Sequence, residues 1–285
     1  MGTPMVKNLQ KAGFAVTVHD NDSAKLREFG NSSVSDQQGL LPDCTHIITM
    51  LPNNDIVRHV YLKEGMMEKA TSGTTFIDCS TVSPDVPRSI AKEYRLRGLN
   101  FIDAPVSGGV KGAQLGTLSF LVGGSKQVID SSRELFQAMG KKVFVCGEVG
   151  SGQVAKICNN LILGVSMVAL SESMNLAIRL GLDPKIFVDI LNASSGRSWA
   201  CETYVPVPGV MEGTPACSNY NGGFATRLLS KDLGLALEEA KKMNAPLPMT
   251  CKAQELYKQM MNELPGMDGK DFSAIYSYLA QVECK

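Results

Sequence analysis

The chain has 285 residues, of which 44% are hydrophobic and 20% charged, and its 28 Lys and Arg balance its 28 Asp and Glu. This length exceeds the size at which a single core usually stops growing, so it predicts two domains. The neutral balance argues against a nucleic-acid binder, which needs a basic stripe for phosphates. The eight cysteines have neither C-x-x-C nor metal-ligand spacing, which predicts reduced thiols and no metal site.

Apolar residues nowhere form an unbroken run of the roughly 18 that a membrane-spanning helix requires. The longest clean run covers residues 161–170, contains Gly164 and Ser166, and is closely flanked by Asn160 and Glu172. This pattern predicts a buried helix, and no membrane association is expected.

The first half of the chain alternates short β-type runs with segments of helical periodicity. The β-type runs cover residues 14–19, 47–51, 75–79, 99–103, 118–122 and 143–146. Helical periodicity is found at residues 57–68, 86–97 and 127–139. Such alternation is typical of a mostly parallel sheet covered on both faces, so we predict an α/β fold with a Rossmann-type first domain.

The opening residues predict a helix capped by Gly13, followed by a strand that ends at Asp20. An acid at the end of the second strand of a dinucleotide-binding unit is where the adenosine ribose hydroxyls are bound. No neighbouring arginine is available for a 2′-phosphate, so Asp20 favours NAD over NADP. Aspartate after a strand is also a common turn residue, and that alternative stays open.

The glycine fingerprint G-x-G-x-x-G of such units is not present as a whole. If Gly2 is its third glycine, Asp20 lies at the right distance downstream, and the first strand and first two glycines precede residue 1. We therefore expect a chain that is incomplete at its N-terminus and lacks the first strand of the sheet.

The second half is predicted to be helical. Residues 147–152, Gly-Glu-Val-Gly-Ser-Gly, predict a flexible joint, so we place an NAD-binding domain at residues 1–152 and an all-α domain at residues 153–285. Helices are predicted at residues 153–180, 184–193, 228–243, 250–262 and 272–282, the first being the long central helix of the second domain.

A Gly/Pro-rich segment at residues 195–223 contains the one tryptophan, Trp199. Segments of this length without predicted secondary structure are usually functional or disordered. Because Trp199, Tyr204 and Tyr220 favour burial, a lid or domain-interface role is preferred over an idle surface loop.

Lys156 and Asn160 lie one turn apart on one face of the long predicted helix. The three histidines all lie at or before residue 59, so acid/base chemistry in the second half needs another group. A desolvated lysine can supply it. The alternative, a solvated lysine near a helix start, is equally compatible with the spacing.

Residues 103–109, Asp-Ala-Pro-Val-Ser-Gly-Gly, follow a predicted strand. Ser107 and the amides of Gly108 and Gly109 could bind a carboxylate, because backbone donors suit an anion held without a countercharge. A simple glycine-rich turn is the alternative.

Together these segments resemble the β-hydroxyacid dehydrogenase family, most closely its 3-hydroxyisobutyrate dehydrogenase branch, over essentially the whole chain. The similarity is carried by residues 103–109 with Gly112, Ala113 and Gly116, and by residues 147–160, 192–199, 206–210 and 231–235.

The resemblance implies roles for individual residues. Ser107, Gly108 and Gly109 would anchor the substrate carboxylate, Lys156 would be catalytic, and Asn160 would orient the substrate. For the cofactor it implies that Leu51 and Pro52 line the site, that Thr81 lies near the nicotinamide ribose, and that Lys231 reaches it from the helical domain.

The implied reaction is the NAD-dependent oxidation of 3-hydroxyisobutyrate to methylmalonate semialdehyde, a step of valine catabolism. Lys156 would take or relay the hydroxyl proton as hydride leaves. Its pKa would need lowering, and desolvation together with the positive charge of the nicotinamide would lower it.

Several alternatives stay open. One is that the chain, without the pyrophosphate loop, is an inactive fragment or partner subunit that cannot hold NAD. Another is a structural protein that uses the helical domain for dimerisation. A related semialdehyde or glyoxylate reductase usually prefers NADP, against which Asp20 argues. The 6-phosphogluconate dehydrogenase branch is disfavoured, because Leu163 occupies the place of its second acid/base glutamate.

A homo-oligomer is expected. The resemblance suggests a mitochondrial matrix location, with the cytoplasm as the alternative, and no transit peptide is recognisable in the sequence.

Overall fold

The computed structural model of the chain describes residues 1–33, 41 and 43–281. The last residue of the final predicted helix, at position 282, and Cys284 lie outside the described residues. The chain divides into two compact units, Met1–Lys156 and Ile157–Lys285. The division falls inside the long helix, after Lys156, four residues beyond the predicted domain boundary at residue 152.

Within its described residues, the first unit contains six strands and eight α-helices, followed by the start of the long helix. Strands β1–β6 cover His46–Thr49, Thr75–Asp78, Asn100–Asp103, Val106–Ser107, Leu118–Gly123 and Gly140–Gly147. Helices α1–α8 cover Gly2–Lys11, Ser23–Leu26, Asn54–Lys63, Met66–Lys69, Asp85–Arg95, Gly109–Gln114, Lys126–Ser131 and Arg133–Met139. A 3₁₀ helix covers Arg27–Ser32.

The six strands form one mostly parallel sheet, as predicted. Its order is β1-β2-β3-β5-β4, with β6 also paired to β5. The β1–β2, β2–β3 and β5–β6 pairs are parallel, and the β3–β5 and β4–β5 pairs are antiparallel. In this register Thr49, Asp78 and Asp103 lie side by side. The carboxyl ends of β1, β2 and β3 therefore form one edge of the sheet.

Both faces of the central strands β2 and β3 are buried, which explains their apolar runs, whereas Phe144 and Val145 of β6 are exposed. Phe76 and Phe101 belong to a core shared with α3 and α5, whereas the next residues, Ile77 and Ile102, belong to a core shared with α1 and α8. Successive residues of a strand point to opposite faces. Helices therefore cover both faces, as expected for a parallel sheet.

The predicted strand at residues 14–19 is the exception. In the described part of the chain it makes one isolated parallel bridge, Val18 to Ser33, with the Val18 amide donating to the Ser32 carbonyl at 2.7 Å. A single bridge does not make a ladder, so no strand forms there. Phe14 and Val16 still pack on the core, which explains the apolar alternation that suggested a strand.

The second unit is helical. Helix α9 covers Ser151–Arg179 and begins in the first unit, and α10–α14 cover Pro184–Ala193, Trp199–Thr203, Thr226–Lys242, Pro248–Glu263 and Ile275–Gln281. Two 3₁₀ helices cover Pro215–Ser218 and Phe272–Ala274. Met167 and Met174 of α9, Leu229 of α12 and Tyr257 of α13 are fully buried in its core.

Helix α9 is apolar but not buried all round. Its 29 residues are long and apolar enough to cross a membrane, and the core helix of a soluble protein can be equally long and apolar. The expectation of a buried helix at residues 161–170 is wrong at Ile162, which is 65% exposed, and Leu176 is 60% exposed. The helix therefore presents an apolar outer stripe as well as a core face.

The Gly/Pro-rich segment at residues 195–223 is partly ordered by its aromatic residues. Tyr220 is buried, as expected, and donates to the Pro206 carbonyl at 2.9 Å. The expectation of burial is wrong for Trp199, which is 51% exposed. Its ring stacks on the ring of Tyr204, with the centroids 4.9 Å apart. Trp199 therefore packs against one neighbouring ring and is not part of a buried core.

Candidate functional site

The predicted cofactor residues of the first unit follow neighbouring strands at the carboxyl edge of the sheet. Leu51 and Pro52 follow β1, and Thr81 follows β2. The Leu51 amide donates to the Ser80 hydroxyl at 2.8 Å, which joins the two loops. In open α/β sheets ligands bind at this edge, so the structure brings these residues together where a dinucleotide would lie.

Gly2 begins helix α1 at the same edge. A Cβ added to Gly2 would lie 4.0 Å from the Cβ of Met50, which directly precedes Leu51. The first turn of α1 has no acidic residue, so its unpaired N–H groups and positive dipole end are compatible with a phosphate group. The residues present therefore fit a dinucleotide diphosphate at this helix start.

Asp20 follows the Val18 bridge. Its Oδ1 accepts from the Asp22 amide at 2.9 Å, and its Oδ2 lies 3.5 Å from the Lys25 ammonium. The first contact is the turn geometry that the alternative interpretation described. The second contact places a cation beside the carboxylate, and this cation is a lysine, whereas the prediction from the sequence considered only a neighbouring arginine.

Ser107, Gly108 and Gly109 follow β3 as predicted, with Ser107 in the short strand β4. Gly108 and Gly109 have φ angles of 131° and 63°, and helix α6 begins at Gly109. A Cβ on Gly108 would lie 3.3 Å from Leu118 Cδ2. A side chain at Gly108 would therefore be strained by both backbone and space. A Cβ on Gly109 would meet no atom within 4 Å, so it is at Gly109 that the backbone is open to close approach by a ligand.

Lys156 lies in the second turn of α9 and is only 8% exposed. A solvated surface lysine, the alternative that the spacing allowed, is therefore not what the structure contains. Lys156 is the last residue of the first unit. This burial is compatible with the catalytic role predicted for Lys156.

The start of α9 is fastened to the end of β3 by a buried carboxylate. Asp103 accepts from the amides of Gly150 at 2.6 Å and Gln153 at 2.9 Å. Burial raises the pKa of Asp103 to about 7, against the opposing effect of these two hydrogen bonds. Within the joint predicted at residues 147–152, the Gly150 amide is therefore held by a buried side chain, and Ser151 and Gly152 already belong to α9.

In the second unit, the amide of Asn160 is held by an acid. Asn160 is fully buried, and its Nδ2 donates to Asp232 Oδ2 at 2.6 Å. Its Oδ1 accepts from Asn159 at 3.1 Å. Lys231, the predicted cofactor residue on α12, lies 3.2 Å from Asp232 Oδ1. Asp232 thus links Asn160 and Lys231.

Three residues of this arrangement were not singled out from the sequence: Asp103, Gln153 and Asp232. Asp103 begins the motif at residues 103–109, Asp232 directly follows Lys231, and Gln153 precedes Lys156 by three residues. A buried acid or amide inside a candidate motif is a usable signal, because buried polar groups are nearly always hydrogen-bonded.

Family comparisons agree with this geometry. Residues 1–147 match the family model described as the NAD binding domain of 6-phosphogluconate dehydrogenase. Residues 150–279 match that described as NAD-binding of NADP-dependent 3-hydroxyisobutyrate dehydrogenase.

Individual relatives cover nearly the whole chain. Human mitochondrial 3-hydroxyisobutyrate dehydrogenase is 44% identical over 99% of this chain and 85% of its own length. The NAD-dependent L-serine dehydrogenase of Pseudomonas aeruginosa is 41% identical over 96% and 93%. A structure of Mycobacterium tuberculosis 3-hydroxyisobutyrate dehydrogenase with L-serine superimposes with a TM-score of 0.91 and 35% identity, covering 98% of this chain and 95% of that one.

A Rossmann-type sheet followed by a helical domain, with these matches, defines an NAD-dependent 3-hydroxyacid dehydrogenase. The chain belongs to the 3-hydroxyisobutyrate dehydrogenase family.

Proposed function

We propose that the chain oxidises 3-hydroxyisobutyrate to methylmalonate semialdehyde with NAD, as a step of valine catabolism. The observation that carries the proposal is the buried Lys156, on a helix whose first turn is bonded to Asp103, the first residue of the motif at residues 103–109. The mitochondrial relatives with this name support the choice of substrate.

The proposed chemistry assigns one task to each group. The amides of Gly108 and Gly109 and the Ser107 hydroxyl bind the substrate carboxylate. The neutral amine of Lys156 accepts the hydroxyl proton as the carbinol C–H bond breaks and the carbonyl forms. Bound NAD supplies the hydride acceptor at nicotinamide C4. Asn160 orients the substrate, and Asp232 fixes its amide by accepting from Nδ2.

The cofactor is assigned to residues at the carboxyl edge of the sheet. The start of α1 at Gly2 binds the diphosphate, and Asp20 accepts from the adenosine ribose hydroxyls. Leu51 and Pro52 line the site, and Thr81 contacts the nicotinamide ribose. Lys231 of α12 is the last residue assigned to the cofactor.

The substitution Lys156→Ala tests the assignment of the acid/base group. We expect kcat for 3-hydroxyisobutyrate to fall by about two orders of magnitude or more, because the hydroxyl proton loses its acceptor. The Kd of Lys156→Ala for NAD, measured by calorimetric titration, should equal that of the parent. The control Lys126→Ala removes a lysine that is 80% exposed and should leave turnover unchanged. Parent-like turnover in Lys156→Ala would contradict the proposal.

L-Serine is a second candidate substrate. It shares the 3-hydroxyl and carboxylate of 3-hydroxyisobutyrate, and a relative 41% identical to this chain is named for its oxidation. The same carboxylate-binding and proton-accepting groups would serve it. Comparison of kcat/KM for the two compounds at equal NAD decides between them, and a higher value for L-serine would replace 3-hydroxyisobutyrate in the proposal.

We further propose that the chain forms a homo-oligomer through its helical domain, which also contributes to substrate binding. The exposed apolar residues Ile162 and Leu176 of α9 and Ile186 of α10 support an interface there.

We also propose a location in the mitochondrial matrix, which the names of the mitochondrial relatives support. Imaging of the protein, expressed from its own gene with a C-terminal tag, tests the location, and a purely cytoplasmic signal would contradict it.

A further inference from the structure

Gln153 is a fully buried glutamine in the first turn of α9, within the first unit. Its Nε2 donates to the Ser80 carbonyl at 2.8 Å, and its Oε1 accepts from the Val82 amide at 3.0 Å. One side-chain amide thus binds the backbone on both sides of Thr81. The proposed mechanism does not use Gln153.

The backbone of Gln153 is fixed as well. Its N–H donates to Asp103 at 2.9 Å, and the same carboxyl accepts from Gly150. Ser80 is bonded in turn to the Leu51 amide. The loops after β1 and β2 are therefore connected through Gln153 to the end of β3 and the start of α9.

We propose that Gln153 is a positioning residue that sets the loop at Thr81 relative to Lys156. The inference rests on the proposed function, because Thr81 and Lys156 receive their roles there. Lys156 lies three residues after Gln153, so the two project from the same side of α9. A rigid first turn bonded to residues 80–82 holds the ribose contact and the proton acceptor in one geometry.

The chemistry of the side chain explains why a glutamine is needed. The Ser80 carbonyl requires a donor and the Val82 amide requires an acceptor, and a carboxamide offers both at one end. A glutamate of the same shape would offer oxygen atoms only and would repel the carbonyl. A methionine would leave both backbone groups without this partner in a site that water does not reach.

The test compares Q153E and Q153M with the parent and with N100D. Asn100 is a matched control in the same unit, because its Nδ2 donates to the Gly73 carbonyl at 3.1 Å from the opposite end of β3. Hydrogen exchange followed by mass spectrometry reports on residues 79–84 without cofactor or turnover. We expect exchange there to rise about tenfold in Q153M, less in Q153E, and not at all in N100D.

The kinetic part uses 3-hydroxyisobutyrate deuterated at the carbinol carbon. In folded Q153M and Q153E we expect kcat to fall by about ten- to a hundredfold, with a larger primary isotope effect, because misplacement slows the hydride step itself. A merely structural role would reduce the folded fraction and leave the isotope effect of the folded enzyme unchanged.

Either of two results overturns the proposal: unchanged exchange at residues 79–84 in Q153M, or raised exchange with parent-like kcat and isotope effect. Failure of the proposed function has a different signature. In that case K156A keeps the parent turnover, while the exchange result for Q153M still decides whether Gln153 holds the loop.

Discussion

A carboxyl group without solvent exposure holds the start of α9 at the end of β3. Burial raises the pKa of Asp103 from 3.8 to about 7. An acid with a raised pKa in the folded state takes up a proton more readily there than in the unfolded chain. Its contribution to stability is therefore complete below about pH 4, and it is lost as the pH rises through about 7.

The substitution Asp103→Asn should remove this pH dependence. Between pH 5 and pH 8 the parent's free energy of unfolding is expected to fall by about 3 kcal/mol more than that of Asp103→Asn. The extra loss occurs over the roughly two pH units between 5 and 7, in which Asp103 is protonated in the folded state but not in the unfolded chain. Urea unfolding at the two pH values measures it. Asp130→Asn is the control, because Asp130 is exposed and Lys126 and Arg133 lower its pKa, which places its effect below this window. An equal change in the free energy of unfolding between the two pH values for the parent and Asp103→Asn would contradict the raised pKa of Asp103.

Asp20 is expected to decide between NAD and NADP. Asp20→Ser should raise KM for NAD about tenfold by removing a charged acceptor. It should also admit NADP, because Lys25 remains to meet the 2′-phosphate. The ratio of kcat/KM for the two cofactors measures the change.

Asp22→Ser is the matched control for this cofactor experiment. Asp22 also lies near Lys25, at 3.8 Å, and caps α2, a position where serine caps equally well. Its cofactor ratio should equal that of the parent. An unchanged ratio in Asp20→Ser would show that Asp20 is only the turn residue of the alternative interpretation.

At the scale of elements, the packing of α9 against strand β5 depends on a glycine. A Cβ on Gly152 would overlap the Leu121 carbonyl oxygen and approach Asp103 Oδ2 to 2.8 Å. Both atoms are held by backbone or by hydrogen bonds and cannot move aside. The helix start can approach the sheet closely only without a side chain here.

Gly152→Ala should therefore lower the free energy of unfolding by about 3 kcal/mol, as overpacking does. Gly234→Ala in α12 is the matched control, because its Cβ would meet only the end of the Gln254 side chain, and alanine stabilises a helix by up to about 1 kcal/mol. Thermal unfolding of both variants measures the contrast. A parent-like or higher Tm for Gly152→Ala would contradict the packing argument.

At the scale of the whole molecule, the outer apolar stripe of α9 is expected to be an interface between copies of the chain. Ile162 and Leu176 are 65% and 60% exposed and lie fourteen residues apart, which places them on one side of the helix. Burial of such a stripe against a second copy would be favourable.

The double substitution Ile162→Asp and Leu176→Asp should therefore give a monomer of about 30.6 kDa by light scattering, because buried unpaired carboxylates are costly. Leu96→Asp is the control, since Leu96 is 78% exposed but lies in the first unit. It should keep the mass of the parent. A monomeric parent, or an unchanged mass in the double variant, would contradict the oligomer proposal.

Much of the fold follows from local patterns. The apolar runs of β1, β2, β3, β5 and β6 and the periodicity of the longer helices are visible in the sequence, because a strand or helix places its own apolar residues on a face. The run at residues 14–19 shows the limit, since a strand also needs a ladder partner. The predictions that Trp199 and Ile162 are buried were wrong for a related reason, because the exposure of a side chain depends on which other residues pack around it.

The sequence by itself determined the alternation of strands and helices, the order of the motifs and, through both, the family and the chemistry expected of Lys156. Only the tertiary structure decided which polar groups hold that chemistry in place. Gln153 is hydrogen-bonded to Ser80 and Val82, which lie 73 and 71 residues away in the sequence, and Asp103 to Gly150, which lies 47 residues away. Such pairs form because parallel strands bring their carboxyl ends to one edge, and no local pattern in the chain encodes which side chains meet there.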